Sequence, residues 1–222
     1  MPQSQVVLSS NTTWTVPAGV TTIHACAQGR SATSDVSLVV GGATVLRAMN
    51  GARVGDGGGD GGFPGVAGDT DTGGGAAGGY SGNGGNGGKY TEGADTNWYG
   101  NPGTAGNGGA AGGGASASRT KQPVFGGQPA SYKYTPTGYG GGVGISGTGS
   151  NGSGGSVGNN PDGGGGSPDP INGLMGGGSP GQRGSALAWK NNIAVTPGQV
   201  LTVNASAGRI RIIWGPGRSY PS

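Results

Sequence analysis

The sequence is short of the residues that build most enzymes and most hydrophobic cores. Its single cysteine, Cys26, excludes an intramolecular disulfide and a cysteine-based zinc site, and its single histidine, His24, limits histidine chemistry to one site. Val, Ile, Leu and Phe supply only 31 of the 222 residues, below the roughly 20 % typical of chains with an ordinary core. No apolar run approaches the roughly 20 residues of a membrane-spanning helix. We expect a protein that is not an enzyme and holds no metal and no cofactor.

Charged residues are scarce as well. The chain has 12 Lys and Arg residues against 9 Asp and Glu residues, which gives a formal net charge of +3. Repulsion between like charges therefore does not explain the shortage of apolar residues. The basic residues are scattered along the chain rather than grouped into a patch, and this argues against a nucleic-acid partner.

Glycine is the residue that the sequence has in abundance, and it is concentrated in the middle of the chain. Residues 51–185 hold 51 of the 59 glycines, whereas residues 1–50 and 186–222 hold 21 of the 31 Val, Ile, Leu and Phe residues. Neither flank alone has enough apolar surface to close a core. We predict a domain made of residues 1–50 with 186–222, into which residues 51–185 are inserted as a glycine-rich domain.

The two flanks have the composition of short β-strands separated by Gly, Pro, Ser and Asn, and no segment has a convincing helical period. The predicted strands are Gln5–Leu8, Thr12–Val16, Val20–Ala27, Asp35–Val40, Thr44–Ala48, Ala186–Val195, Gln199–Ala205 and Arg209–Trp214. In the last strand Ile210, Ile212 and Trp214 share one face, and we expect Arg209 and Arg211 on a solvated face. The predicted fold class is all-β, with a small β-sandwich formed by both chain ends.

In the central region, glycines recur every third residue in six runs that differ in phase. One run extends from Gly59 to Gly68 and another from Gly79 to Gly88. A three-residue period is that of the polyproline II helix, whose backbone has no internal hydrogen bonds and must bond to neighbours. We predict an inserted glycine-rich bundle of short polyglycine II helices. A flexible glycine linker is the alternative, although the nine aromatic residues of this region argue against it.

Segments of different composition interrupt the glycine runs and contain most of the aromatic residues of the region. Because antiparallel rods bring alternate connections to a common end, we expect a cluster of loops on a rigid support, where recognition chemistry is common. Aromatic rings offer contact area there at a low cost in side-chain entropy. The predicted receptor-binding residues are Tyr90, Trp98, Tyr99, Phe125, Tyr132 and Tyr134. The alternative is that these rings shield the ends of the rods from water.

Other chemistry-bearing patterns have simpler interpretations. His24 and Cys26 share a strand face at i and i+2, but two packing residues on a short strand explain them without a catalytic pair. Asp56 and Asp60 among glycines, and the run Asp69–Gly73, suggest calcium ligands. The helices that flank a helix–loop–helix calcium site are not predicted here. We therefore expect neither a catalytic site nor a metal site.

Both ends of the chain resemble the glycine-rich domain proteins of tailed bacteriophage fibres. The N-terminal phrase is WTVPAGVT at residues 14–21, and the C-terminal phrases are VTPGQVLTV at residues 195–203 and GRIRIIWGPGRSYP at residues 208–221. The alternation of glycine runs with variable loops is similar in style to the T-even-like receptor-recognising adhesins. That resemblance implies a polyglycine II sandwich in the central region.

The resemblance also implies a function, namely a virion structural protein on the exterior of a tail or fibre that displays loops for receptor binding. Its partners would be other virion proteins of the fibre, tail or capsid, together with a host cell-surface protein or polysaccharide. A homotrimer is left open. A capsid decoration or head fibre protein with the same glycine-rich fold is the alternative. A third hypothesis is an ice-binding protein, because flat polyproline II bundles can present ordered faces.

Overall fold

The structure is a computed structural model that describes residues 4–65, 67, 73–92, 98–100, 103–104, 106, 143–145, 174–175, 177–178 and 182–220. Its regular elements within these residues are all β-strands, which confirms the predicted all-β class for this part of the chain. They are β1 (Ser4–Leu8), β2 (Thr12–Thr15), β3 (Thr22–Gly29), β4 (Val36–Val40), β5 (Ala43–Ala48), β6 (Gly57–Gly59), β7 (Tyr90–Glu92), β8 (Trp98–Gly100), β9 (Val143–Gly144), β10 (Leu174–Met175), β11 (Leu187–Ala194), β12 (Val200–Asn204) and β13 (Gly208–Trp214). The eight strands predicted in the flanks are all present, with ends within two residues of the predicted ends.

Nine strands form two larger antiparallel sheets. The five-stranded sheet has the order β1-β13-β3-β11-β6, and the four-stranded sheet has the order β2-β12-β4-β5. In each sheet a strand from the C-terminal flank lies between two strands from the N-terminal flank. Both chain ends therefore contribute strands to each sheet, and β6, which lies within the predicted insert, completes the five-stranded sheet. Two short antiparallel pairs, β7 with β8 and β9 with β10, lie in the glycine-rich region.

The two sheets face each other across one core, in the arrangement of a β-sandwich. Ile210 and Ile212 of β13 are fully buried against Leu201 of the other sheet's β12 and its neighbours. Burying a side chain of this size contributes about 1.5–3 kcal/mol to stability. Trp214, which shares their face, packs at the edge of the core with its ring centroid 5.5 Å from that of Trp14. The predicted common face of Ile210, Ile212 and Trp214 is confirmed.

Strand β6 consists of three glycines and was not predicted, because glycine is depleted in strands. It pairs with β11 from Gly57 opposite Trp189 to Gly59 opposite Leu187. A Cβ atom on Gly57 would overlap with the ring of Trp189, and one on Gly58 would overlap with the carbonyl group of Leu187. The missing side chains are therefore what allows this segment to pair at the edge of the five-stranded sheet.

The outer face of the five-stranded sheet is covered, which contradicts the prediction of a solvated face for Arg209 and Arg211. Arg209 is 2 % exposed and Arg211 is 6 % exposed. Arg211 donates from Nε and Nη2 to Oε1 of Gln5, and from Nη1 to the carbonyl oxygen of Ile145. The prediction was wrong because strand alternation separates two faces but does not indicate that a distant segment packs on the polar one.

The cover of this face comes from the glycine-rich region. A second buried apolar cluster joins it to the sheet and contains Cys26, Ala76, Ala77, Tyr80, Val143, Ile145, Leu187, Ile213 and Tyr220. Polar side chains of the sheet donate to backbone carbonyls of the cover: Nε2 of Gln28 to Val143 at 2.7 Å and Nε1 of Trp189 to Tyr80 at 2.8 Å. The sheet therefore holds the cover through hydrogen bonds as well as apolar contact.

Four segments, three of them rich in glycine and the fourth containing Gly184, lie side by side at residues 59–65, 73–79, 82–88 and 182–185. We call them the glycine segments. In one antiparallel pair the N–H donors are Gly73, Ala76 and Gly79, and the carbonyl acceptors are Gly88, Gly85 and Gly82. In one parallel pair the donors are Gly84 and Gly87, and the acceptors are Asp60 and Phe63. These bonds repeat every three residues, whereas the alternation along a β-strand repeats every two.

Glycine is required where these segments touch, because a side chain would meet the backbone of a neighbour. A Cβ atom on Gly62 would overlap with the carbonyl oxygen of Gly85, and one on Gly75 would overlap with that of Gly62. Gly62 and Gly75 are not among the glycines with a positive φ. The requirement at these two positions is therefore steric rather than conformational.

Replacing Gly62 by alanine tests this steric requirement. We expect Gly62→Ala to lower the free energy of unfolding by about 3 kcal/mol or more, since a buried overlap with backbone cannot relax by a change of rotamer. Gly41→Ala is the matched control, because Gly41 has open space around it and only its φ of 57° opposes a side chain. That control is expected to cost about 1–2 kcal/mol. Equal losses in urea denaturation of the two variants would contradict the close packing.

Candidate functional site

The glycine segments have two distinguishable ends. At one end, Gly59 belongs to β6 and therefore to the five-stranded sheet. At the other end, the N–H of Gly65 donates to the carbonyl of Gly73, and the N–H of Gly73 donates to the carbonyl of Gly88, both at 3.0 Å. Gly65 lies six residues beyond Gly59. The end that contains Gly65, Gly73 and Gly88 is thus away from the sheet, and we call it the remote end.

The antiparallel hairpin of β7 and β8 follows directly from the remote end. Its register pairs Tyr90 with Gly100, Thr91 with Tyr99 and Glu92 with Trp98. Three of the predicted receptor-binding residues, Tyr90, Trp98 and Tyr99, are thereby brought into one hairpin. The other three, Phe125, Tyr132 and Tyr134, lie outside the described residues. After the hairpin the chain returns to the glycine segments, where the N–H of Thr104 donates to the carbonyl of Asn86 at 2.8 Å.

An exposed polar face runs along the glycine segments and was not predicted. Oδ1 of Asn83 accepts from the N–H of Asp60, and Oδ1 of Asn86 accepts from the N–H of Phe63, both at 2.8 Å. The N–H of Asn86 donates to Oγ1 of Thr104 at 2.8 Å. Side chains thus satisfy N–H groups along this exposed face. The sequence signal for this pattern is the spacing of three between the two asparagines in SGNGGNGGK at residues 81–89.

Phe63 is prominent on this face because 59 % of it is exposed. The guanidinium carbon of Arg183 lies 4.2 Å from the centroid of the Phe63 ring, which is a cation–π contact. Nε of Arg183 also donates to the carbonyl of Gly61 at 2.9 Å. The ring is therefore covered by a fixed cation on one side and is available to a ligand elsewhere on its surface.

A polar cleft of about 350 Å³ is formed by residues of the segment 51–57 and by Asp60, which lies three residues before Phe63 in the chain. It is lined by Gly51, Arg53, Gly55, Asp56, Gly57 and Asp60. Nε of Arg53 donates to Oδ1 of Asp60 at 2.7 Å, and the N–H of Gly51 donates to Oδ2 of Asp60 at 3.1 Å. Arg183 approaches the same Oδ2 at 3.8 Å. The Asp60 carboxylate is thus bonded to cations and an amide rather than open to a metal ion.

Asp56 on the other wall of the cleft is held in a similar way. Its Oδ1 lies 3.1 Å from Nζ of Lys190, and its Oδ2 accepts from the N–H of Asn191 at 2.8 Å. The pKa of the Asp56 carboxyl is lowered mainly by the hydrogen bond from Asn191, with a further contribution from Lys190 and a partial opposing effect of burial. Through these two contacts Asp56 binds the irregular stretch of β11 between Lys190 and Ile193, where Asn192 has a φ of 53°.

His24 and Cys26 have separate partners on the covered face of the sheet. Nδ1 of His24 lies 3.1 Å from Oδ1 of Asn191. Cys26 is fully buried, and burial raises the pKa of its thiol to about 12, although Tyr80 and the nearby arginines act in the opposite direction. A thiol with that pKa remains protonated at neutral pH and is a poor nucleophile. Cys26 packs in the second apolar cluster, whereas the contacts of His24 are polar.

Within the described ranges, no group of three or more His, Cys, Asp or Glu residues is placed to hold a metal ion. The same part of the chain contains no helix with the length and apolarity to cross a bilayer. Comparison with protein-family models, with curated proteins and with solved structures finds no match to this chain.

The asparagine bonds on the exposed face can be tested at Asn86. We expect Asn86→Ala to lower the free energy of unfolding by about 1 kcal/mol, because the N–H of Phe63 loses its acceptor. Asn86→Asp is the matched control, since its carboxylate keeps an oxygen in the same place and should retain most of the stability. If urea denaturation gives the two variants the same midpoint, the side-chain acceptor is not what stabilises this face.

The Asp56 contacts predict a dependence of stability on pH. Because the folded pKa of Asp56 is below its unfolded value, its contribution is complete above the unfolded pKa and is lost as pH falls through the folded pKa. We expect Asp56→Asn to be less stable than the wild type at neutral pH, and the difference to shrink below about pH 4, the ordinary range of aspartate. Urea denaturation at several pH values measures it. A difference that is the same at every pH would contradict this role.

Proposed function

We propose that the chain is a bacteriophage virion structural protein, a tail fibre or tail-associated adhesin that displays loops for host receptor binding. It acts without catalysis or a cofactor, on the exterior of the particle. The observation that carries this proposal is the hairpin of β7 and β8, which brings positions 90, 98 and 99 together next to the remote end. The resemblance of both chain ends to glycine-rich fibre proteins supports the same function.

We further propose that the glycine segments form a bundle of polyglycine II helices. Segment 73–79 supports this proposal, because its N–H and carbonyl groups bond to three different neighbouring segments. Gly73, Ala76 and Gly79 donate to 82–88, Gly75 and Gly78 donate to 182–185, and the carbonyls of Gly73 and Ala76 accept from 59–65. A helix with three residues per turn presents three such faces. A flexible linker would make no such regular set of bonds.

A bundle of this kind would display its loops on a rigid support. At a rise of about 3.1 Å per residue, the six residues from Gly59 to Gly65 extend roughly 19 Å from the five-stranded sheet. The connections at the remote end would then be ordered before a receptor arrives, and less conformational entropy would be lost on binding. The sandwich would remain available to contact neighbouring proteins of the virion.

The recognition role can be tested with the aromatic residues of the loops. We expect replacement of Trp98, Tyr99, Tyr132 and Tyr134 by alanine to reduce adsorption to host cells by about tenfold or more, since aromatic anchors dominate most binding interfaces. The readout is competition of the purified protein with intact phage for host cells. Val200→Ala is the control, because Val200 is 58 % exposed on β12 of the sandwich. Unchanged competition by the loop variant would overturn receptor binding through these residues.

Position on the particle separates the proposal from its alternative. Gold-labelled antibody against the protein is expected to mark tails or fibres in electron micrographs of purified virions. Label on the capsid would instead identify a decoration or head fibre protein with the same fold. Virions that bind no antibody, although they are probed both intact and disrupted, would show that the chain is not a virion protein.

A further inference from the structure

The polar cleft that contains Asp60 is a candidate ligand site separate from the proposed receptor loops. Its lining contains three glycines, Gly51, Gly55 and Gly57, which leave room where side chains would otherwise project. Gly57 lies directly on the ring of Trp189, whose Nε1 donates to the carbonyl of Tyr80. The volume of about 350 Å³ falls within the range of ligand pockets, roughly 300–1,000 Å³.

The charged groups around the cleft are paired with one another rather than left free. Asp60 is bonded to Arg53 and lies near Arg183, and Asp56 is bonded to Lys190. The side chains of Arg53 and Asp60 remain 31 % and 22 % exposed, and those of Lys190 and Asp56 remain 35 % and 40 % exposed. The cleft therefore offers N–H donors and carboxylate acceptors side by side, with their charges largely balanced.

Phe63 extends this surface with a flat apolar group. Arg183 links the two parts, because it lies over the Phe63 ring and within 3.8 Å of the Asp60 carboxylate. Beyond the ring, Asn86 and Thr104 are exposed and carry further polar groups. The result is a continuous strip in which paired charges, an aromatic ring and amide or hydroxyl groups follow one another along the bundle.

We propose that this strip is a saccharide-binding site, in which the cleft takes a neutral hexose unit and Phe63 supports the next unit of the chain. Each hydroxyl group of a sugar both donates and accepts, so it can bond to an aspartate and an arginine or lysine at once. The C–H faces of the sugar ring suit the exposed phenyl ring. The site lies on the side of the bundle and does not depend on the loops of the remote end.

Two other ligand classes fit the cleft less well. A metal ion would need the carboxylates of Asp56 and Asp60, which are already bonded to cations. An apolar ligand would remove water from these ion pairs and offer no hydrogen bond in its place, which costs several kcal/mol per ion. A neutral polyol avoids both difficulties, because its hydroxyl groups replace the water that now solvates the exposed edges of the ion pairs.

The test is a chemical-shift titration of the full ¹⁵N-labelled chain with four trisaccharides: maltotriose, cellotriose, mannotriose and triacetylchitotriose. Each trisaccharide is added to about 10 mM, which is ten times the Kd of about 1 mM that is typical of weak binding. We expect at least one to shift the amide signals of Gly51, Arg53, Gly55 and Gly57. The variants Arg53→Gln and Phe63→Ala should each weaken that binding by about tenfold, as the loss of a charged hydrogen bond or a stacking surface implies.

The controls separate this site from the receptor loops. Val200→Ala, also a change at an exposed residue, should bind the trisaccharide like the wild type, and so should the double variant Trp98→Ala, Tyr99→Ala. Three results would each overturn the saccharide site: no shift in the cleft with any trisaccharide, shifts confined to residues 89–104, or unchanged affinity in both Arg53→Gln and Phe63→Ala. Shifts confined to residues 89–104 would still be compatible with receptor binding by the loops. Conversely, shifts in the cleft would support the saccharide site even if the loops bind nothing.

Discussion

Backbone hydrogen bonding between the glycine segments is the interaction on which the rest of this structure depends. These segments have few apolar side chains, so hydrophobic burial alone does not account for their packing. Within the described residues, their N–H and C=O groups bond to neighbouring segments at intervals of three residues. Carbonyl oxygens then come so close to α-carbons such as that of Gly62 that no side chain fits. At the described contacts between these segments, glycine is therefore a packing requirement.

The β-sandwich contributes a second constraint, because its polar face orients the glycine segments. Arg211 lies on β13 and bonds to Gln5 of β1 and to the carbonyl of Ile145. It therefore joins three parts of the chain. A buried guanidinium is costly unless its N–H groups are satisfied, so these acceptors fix where the cover lies. Trp189 adds a bond to the carbonyl of Tyr80. Apolar and polar contacts together give the remote end a defined direction relative to the sheet.

The flanks could be predicted from sequence because their alternation is local. Ile210 and Ile212 alternate with arginines, and turn residues bound each strand, so strand positions and the inward face follow without a structure. The fate of Arg209 and Arg211 could not be predicted in this way, because it depends on a segment more than sixty residues away in the chain. The three-residue glycine period predicted contacts between segments. It did not indicate which segments are neighbours, which is set by long-range hydrogen bonds.

Residue-resolved amide hydrogen exchange tests the central claim most directly, since protection reports local opening of hydrogen bonds. The account predicts slow exchange at the interior donors of the glycine segments, such as Gly62, Ala76 and Gly84, with rates near those of the strands of the sandwich. Exposed glycines outside the segments, such as Gly41, should exchange quickly. Rapid exchange throughout residues 59–65 and 73–88, beside protected flanks, would contradict the account. The central region would then be a tether, and the function would belong to the sandwich.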